Sequence, residues 1–161
     1  LTPIICDISR FDLLMEQIEG PRLKDVIDEE LCRMVGVMVG RLHRGGIIHG
    51  DLTTSNMIIT ASTADEANGI NSTNSTNGAN GAKSSPGGGR ICLIDFGLSF
   101  HDKTVEAQGV DVHVFFQTLE STHDRSEELK EAFRTGYVQT YDQAEAVLQR
   151  VKEIKARGRY L

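Results

Sequence analysis

Two short runs in this chain hold the residue types that phosphate chemistry needs. One is His49-Gly50-Asp51-Leu52-Thr53-Thr54-Ser55-Asn56; the other is Ile94-Asp95-Phe96-Gly97. Phosphoryl transfer requires an aligned nucleophile, a proton acceptor for it, and a cation to neutralise the phosphates. A loop carboxylate, Asp51, can orient the nucleophile. An amide oxygen five residues later, on Asn56, can reach a metal. A second carboxylate at a strand end, Asp95, can chelate magnesium, which prefers oxygen ligands and few protein groups. Taken singly, either run also reads as ordinary turn chemistry: Asp51 and Asn56 as turn residues, Asp95 as an exposed strand end.

The elements around these runs must bring them together. Phe11–Ile18 reads as a short apolar strand with a polar continuation, closed by Gly20-Pro21. Glu29–Arg44 has Leu31, Met34, Val35, Met38 and Leu42 at helical spacing, so they share one face. Gly45-Gly46 is the expected stop, through the left-handed conformation that glycine takes cheaply. Met57–Thr60 and Ile91–Phe96 read as the two strands of a hairpin, which would return Asp95 to the side of Asn56. Between them, residues 61–90 are rich in Gly, Asn, Ser and Thr and cannot bury a core, so a disordered insertion is expected. Helices are expected over Val110–Leu119, Ser126–Tyr137 and Asp142–Arg157. The first is read as largely buried. The last is read with an Asp142/Glu145 cap and a stripe of Ala144, Val147, Leu148, Val151 and Ile154.

Composition sets outer bounds. The 161 residues suffice for one domain, and 39% are apolar. No run approaches the roughly 18–20 apolar residues of a spanning helix, and residues 1–7 do not resemble a signal peptide. Cys6, Cys32 and Cys92 have no metal-ligand spacing and read as buried or free thiols. His43, His101, His113 and His123 likewise lack ligand spacing and read as surface or helix residues. The net charge of −6 argues against non-specific nucleic-acid binding by the whole surface. Arg150, Lys152, Lys155, Arg157 and Arg159 make the C-terminus locally basic, the pattern of a phosphate-backbone contact.

In order, the two runs resemble the catalytic loop and Asp-Phe-Gly motif of eukaryotic-type protein kinases. HGDLTTSNM, LIDFGLSF, GVD and the final RGR more closely resemble the small atypical kinase family of the KEOPS (EKC) complex, over nearly the whole chain except residues 61–90. The resemblance implies an α+β fold: a protein-kinase-like C-terminal lobe, mainly helical, with a small β-hairpin carrying both motifs. It implies residues 1–20 as the end of the N-terminal lobe and the hinge, and 21–161 as the C-terminal lobe. It implies ATP and Mg2+ as cofactors, Asp51 as catalytic base, Asn56 and Asp95 as metal ligands, and His49 as a pin of the loop. The backbone at Glu16 and Ile18 in MEQIEG would meet the adenine. Asp111 resembles the helical aspartate that bonds the catalytic loop, with an N-cap role as its alternative.

By the same resemblance the function is that of a kinase/ATPase supporting threonylcarbamoyladenosine modification of tRNA. Expected partners are the other KEOPS subunits, including the threonylcarbamoyl-transferring one, and tRNA through the basic tail. No membrane partner is implied, and the expected location is cytoplasmic and nuclear. Alternatives are a small-molecule phosphotransferase of the aminoglycoside or choline kinase kind, and a non-catalytic scaffold lobe. Three departures from ordinary kinases matter. Gly50 stands where an arginine is usual, Thr53 where a lysine is frequent, and the stretch from Gly97 to Gly109 is too short for an activation loop. No glycine-rich loop, strand lysine or partner glutamate precedes Phe11, so these residues alone are expected to bind ATP weakly or not at all.

Overall fold

The computed structural model describes residues 2–60 and 89–158. The expected insertion therefore lies almost wholly outside the described residues. Its last two residues, Gly89 and Arg90, are the exceptions, and Arg90 is the first residue of a strand.

The chain opens with an antiparallel pair, β1 (Ile5–Ile8) and β2 (Leu13–Met15), registered Ile5 to Met15 and Ile8 to Leu13. Only three residues of the anticipated Phe11–Ile18 strand are extended, and β1 was not anticipated. The cause is the turn between them: Ser9 Oγ bonds the Asp12 carboxylate at 3.0 Å and the Ser9 amide donates to the Asp12 carbonyl at 2.8 Å. Seven apolar side chains of this hairpin and its flanks are exposed, Phe11 at 87%.

After a single turn, α1 (Leu23–Val26), comes α2 (Glu29–Arg44). Asp28 caps it, its carboxylate accepting from the Leu31 amide at 2.8 Å. The fully buried face is Leu31, Cys32, Val35, Val39 and His43; the expected Met34, Met38 and Leu42 are only half-buried. Glycines rotate the face. Gly36 lies against the Phe133 carbonyl, and Gly136 of the facing helix against the Arg33 carbonyl, where a β-carbon on either would collide. The backbones thus close on the small-residue side, and the methionines are left at the margin. The left-handed residue that ends α2 is Gly46 (φ +74°), while Gly45 stays right-handed.

Next come β3 (Ile47–Ile48), the loop with a 3-10 turn at Thr54–Asn56, β4 (Met57–Thr60), β5 (Arg90–Leu93) and β6 (Phe100–His101). β4 and β5 pair antiparallel, Met57 with Leu93 and Thr60 with Arg90, while β3 pairs with β6. β5 stops at Leu93 rather than Phe96, because Asp95 leaves the extended region (φ +62°).

Three helices complete the fold: α3 (Val105–Thr122), α4 (Ser126–Thr140) and α5 (Ala144–Arg157). α3 begins five residues ahead of the expected Val110, capped by Thr104, whose hydroxyl accepts from the Ala107 amide at 3.3 Å. Val110 is exposed, not core. α5 begins at Ala144 with no side-chain cap, so the expected Asp142 cap is absent. Its expected stripe is present: Ala144, Val147, Leu148 and Val151 are buried and Ile154 half-buried. The core between these helices is aromatic, with Phe115, Phe133, Tyr137 and Tyr141 in a row of ring contacts 5.1–5.8 Å apart. Among the described residues no helix is long and apolar enough to cross a membrane. Cys6, Cys32 and Cys92 are all free; burial pushes the Cys32 thiol up to about 12.

Candidate functional site

The hairpin of β4 and β5 closes the site as its register requires. The Ile94 amide donates to the Asn56 carbonyl at 3.0 Å, which sets Asp95 beside Asn56. The Asn56 side-chain amide donates to the Asp51 carboxylate at 2.8 Å and to the Asp51 carbonyl at 3.0 Å. Asn56 Oδ1 is left without a protein partner among the described residues, at a loop open to solvent. Asp95 is exposed, and its carboxylate meets only the Gly97 amide, at 3.4 Å.

Neither Asp51 nor Asp95 has an ion pair among the described residues. Two uncompensated carboxylates and a free amide oxygen gathered at one loop form an oxygen-donor set. That set suits magnesium, which takes one or two carboxylates and completes its shell with water and phosphate oxygens. It is not a ready-made cage: no group of three or more His, Cys, Asp or Glu residues stands ready for a metal among the described residues. Such a site would depend on the phosphates of a bound nucleotide to complete it.

The loop is held from beneath by Asp111, in the middle of α3. Its Oδ2 accepts from the His49 amide at 3.0 Å and its Oδ1 from the Gly50 amide at 2.9 Å. This rules out the N-cap alternative, because Asp111 lies six residues inside its helix. Buried amides left without such acceptors would each cost about 1–3 kcal/mol. His49 is fully buried and bridges the two motifs. Its Nε2 lies 3.2 Å from the Ile94 carbonyl, its Nδ1 faces the Asp51 amide at 3.4 Å, and its ring packs on Phe96 at 4.7 Å.

Gly50 has φ +84°, and an added β-carbon would overlap the Leu98 carbonyl oxygen. The usual kinase arginine is therefore not merely missing here. The backbone after the Asp-Phe-Gly motif occupies the space where its side chain would begin.

Sequence reasoning missed a buried network below Asp111. His43, read as a surface or helix residue, is only 1% exposed. Its Nε2 is 3.2 Å from Asp111 Oδ2 and its Nδ1 is 2.7 Å from the Tyr137 hydroxyl. Gln108 donates to the His43 carbonyl at 3.3 Å and accepts from the Tyr141 hydroxyl at 3.0 Å. The available signal was position: His43 falls four residues after Val39, on the apolar side of α2.

Glu16 and Ile18, expected at a hinge, lie in the segment that follows β2. The Glu16 amide is already used, donating to the Ile4 carbonyl at 2.8 Å, and Ile18 is half-buried. The segment is tied to the hairpin by the Ile59 amide, which donates to the Pro21 carbonyl at 2.9 Å. Burial raises the Cys92 thiol on β5, and the Glu16 carboxylate adds to that shift.

The basic C-terminus is not a bare cluster of cations. Arg150 pairs with Glu106 (3.3 Å) and Glu153 (2.9 Å), Arg157 with Glu106 (2.9 Å), and Lys155 with Glu120 (2.5 Å). The acids come mostly from α3, far away in sequence. Lys152 alone of the described tail cations has no ion pair; Arg159 lies outside the described residues.

This arrangement of a short hairpin, a loop hung from a helical aspartate and a helical base defines a protein-kinase-like fold. A structure of WaaP in complex with acyl carrier protein superposes with a TM-score of 0.55 at 15% identity, over 89% of this chain and 60% of that one. That likeness bears on fold alone. The chain is 39% identical, over 99% of its length and 68% of the relative's, to a probable serine/threonine-protein kinase BUD32 homolog of Archaeoglobus fulgidus. It is 35% identical to the KEOPS complex subunit Bud32 of Pyrococcus abyssi, over 96% of this chain and 62% of that one. The chain belongs to the Bud32 family of atypical kinases. It is also 47% identical, over 99% of its length, to a probable bifunctional tRNA threonylcarbamoyladenosine biosynthesis protein of Methanosarcina acetivorans. It spans only 24% of that relative. No family model matches the chain.

Proposed function

We propose that this chain is the C-terminal lobe and hinge of an ATP-dependent phosphotransferase or ATPase that supports threonylcarbamoyladenosine modification of tRNA within a KEOPS-type assembly. Residues 1–20 form the end of the N-terminal lobe and the hinge, and 21–161 the C-terminal lobe. The observation that carries this reading is the junction of the two motifs, with Asn56 bonded to Asp51 and, through Ile94, set beside Asp95. The relatives support it: a serine/threonine kinase homolog, a KEOPS subunit, and a tRNA-modification protein.

In this reading Asp51 is the base, accepting the proton of the attacking water or hydroxyl. Asn56 positions the Asp51 carboxylate through its amide N–H, and its free oxygen would be one of the groups holding the metal. Asp95 presents a second oxygen, and its left-handed backbone aims the carboxylate out of the strand. Magnesium, when bound with ATP, would neutralise charge on the phosphates. His49 keeps the loop and the Asp-Phe-Gly segment together. The backbone at Glu16 and Ile18 meets the adenine; with the Glu16 N–H already used, its carbonyl is the group that remains for the ring. The short stretch from Gly97 to Gly109 and the Gly50–Leu98 contact favour water over a docked peptide as acceptor.

Other KEOPS subunits, including the threonylcarbamoyl-transferring one, are the proposed partners, and the proposed location is cytoplasmic and nuclear. A tRNA contact through the tail falls to Lys152 and Arg159, since its other cations are neutralised in place. The test is ATP turnover by the full-length protein with Mg2+. Asp95→Ala and Asp51→Asn should each lower it by at least about 100-fold with melting temperature within about 2 °C, because Asp95 is exposed and Asn is isosteric with the half-buried Asp51. Turnover retained in Asp95→Ala sinks the assignment.

A further inference from the structure

One groove lies away from the site described above. It runs between α2 and the start of β5, with a volume of about 370 Å³. Its floor is apolar, formed by Met34 and Met38, half-buried against the core, and by Ile91. Its rim is cationic. Arg33 and Arg41 stand on the same stripe of α2, eight residues or about 12 Å apart, and Arg90 faces them from β5. Glu30 on the same helix holds Arg33, at 2.6 Å and 2.9 Å. Arg41 and Arg90 are exposed and have no ion pair among the described residues. Among the described residues no carboxylate lines the groove.

The arginines on α4 and α5, by contrast, are matched with acids. Guanidinium forks pair with carboxylates bidentately. Methionines adapt to an incoming apolar side chain. A free phosphate or a nucleic-acid backbone would use the arginines and leave the methionine floor wet. We propose that the groove is a docking site for an acidic, amphipathic peptide segment of a partner protein, with carboxylates on Arg41 and Arg90 and one or two aliphatic side chains over Met34 and Met38. It lies at the end of the hairpin away from Asp95, since Arg90 to Leu93 spans about 10 Å of strand. A partner docked there leaves the carboxylate site open. The proposal does not depend on the phosphotransfer reading.

The test is fluorescence anisotropy with the full-length protein and a fluorescein-labelled twelve-residue peptide of alternating Glu, Asp and Leu. Binding should weaken with salt. It should fall at least about tenfold in the doubly substituted Arg41→Glu/Arg90→Glu protein and with a peptide whose leucines are replaced by serine. Met38→Asp should weaken it as well. Circular dichroism melts of Arg41→Gln/Arg90→Gln establish that loss of binding is not loss of folding, and ATP turnover should be unchanged in that variant. Four results overturn the proposal. They are equal binding of the serine peptide, displacement of the peptide by a single-stranded oligoribonucleotide at lower concentration than by unlabelled peptide, self-association that depends on Arg41 and Arg90, and binding seen only when residues 61–88 are removed.

Discussion

The hydroxyl of Tyr137 lies 2.7 Å from Nδ1 of His43, a residue 94 positions earlier in the chain. The His43 Nε2 lies 3.2 Å from Asp111 Oδ2, and a carboxylate oxygen accepts, so Nε2–H is the donor of that bond and the phenol makes the second one, at Nδ1. The other contacts of Asp111 are the two amides of the loop. An aromatic residue in the core thus sets the orientation of the carboxylate from which the loop hangs. Burial also pushes the Tyr137 ionisation upward, so the phenol stays a donor.

Breaking this relay should be felt both in stability and at the loop. Tyr137→Phe leaves His43 Nδ1 buried and unpaired, at an expected cost of about 1–2 kcal/mol. Asp111→Ala strips two amides and the imidazole of their acceptor and should cost about 3 kcal/mol or more. Urea unfolding of both variants measures this. In ATP turnover, Tyr137→Phe should lower kcat more than it raises KM, since it disturbs alignment and not the nucleotide pocket. Wild-type stability in Asp111→Ala would contradict the hydrogen bonds described.

Gly50 should not accept a side chain. Gly50→Ala adds a left-handed alanine, about 1–2 kcal/mol, and an overlap with the Leu98 carbonyl that displaces one of the two segments, about 1–3 kcal/mol more. Gly50→Arg, which restores the usual kinase residue, should be at least as destabilising and should not gain activity. A melting temperature unchanged by Gly50→Ala would show that the loop does not run against Leu98.

Lys130 is a cation that is only 2% exposed, and it is bonded to both Glu120 and Glu127. Hydrogen bonds from Lys130 and then Lys155 lower the Glu120 carboxyl from 4.5 to about 2. A carboxyl depressed in the folded state stabilises above its unfolded value, and that stabilisation is lost as pH falls through the folded one. Glu120→Gln should therefore reduce the melting temperature most near neutral pH, and the difference from wild type should shrink below pH 4.5 and vanish only below about pH 2. Glu120 is about a third exposed and Lys130 keeps Glu127, so the neutral-pH cost is discounted to about 1 kcal/mol. A pH-independent difference would mean that Glu120 acts through packing.

Much of the fold was legible because its cues are local. The helix over Glu29–Arg44 was read with the limits it has, from the apolar period and the glycine stop, both within one segment, while the Asp28 cap that starts it came only with the structure. The hairpin of Met57–Thr60 was read the same way, and its antiparallel register alone places Asp95 beside Asn56. The errors fell where local and tertiary preferences differ. Asp142 and Glu145 have the form of a capping box, yet the chain enters α5 through a turn in which the Ala144 amide donates to the Tyr141 carbonyl at 3.1 Å. Met34, Met38 and Leu42 fit the apolar period of α2 but not the direction from which α4 arrives.

By itself the sequence determined which residues could do chemistry, the order of the motifs, and the helices and strands that carry them, because spacing along one segment depends only on helical and extended geometry. It could not decide which cations are free, because Lys155 and Arg157 are neutralised by acids of α3, some thirty-five to fifty residues away in the chain, and Arg150 by one of the same acids besides its neighbour Glu153. Nor could it show that His43 belongs beneath the loop, since its partners Tyr137 and Asp111 are contributed by two other helices. A side chain's charge and hydrogen-bonding capacity are written in its identity. Whether they are spent is settled by what the fold brings within three ångströms of it.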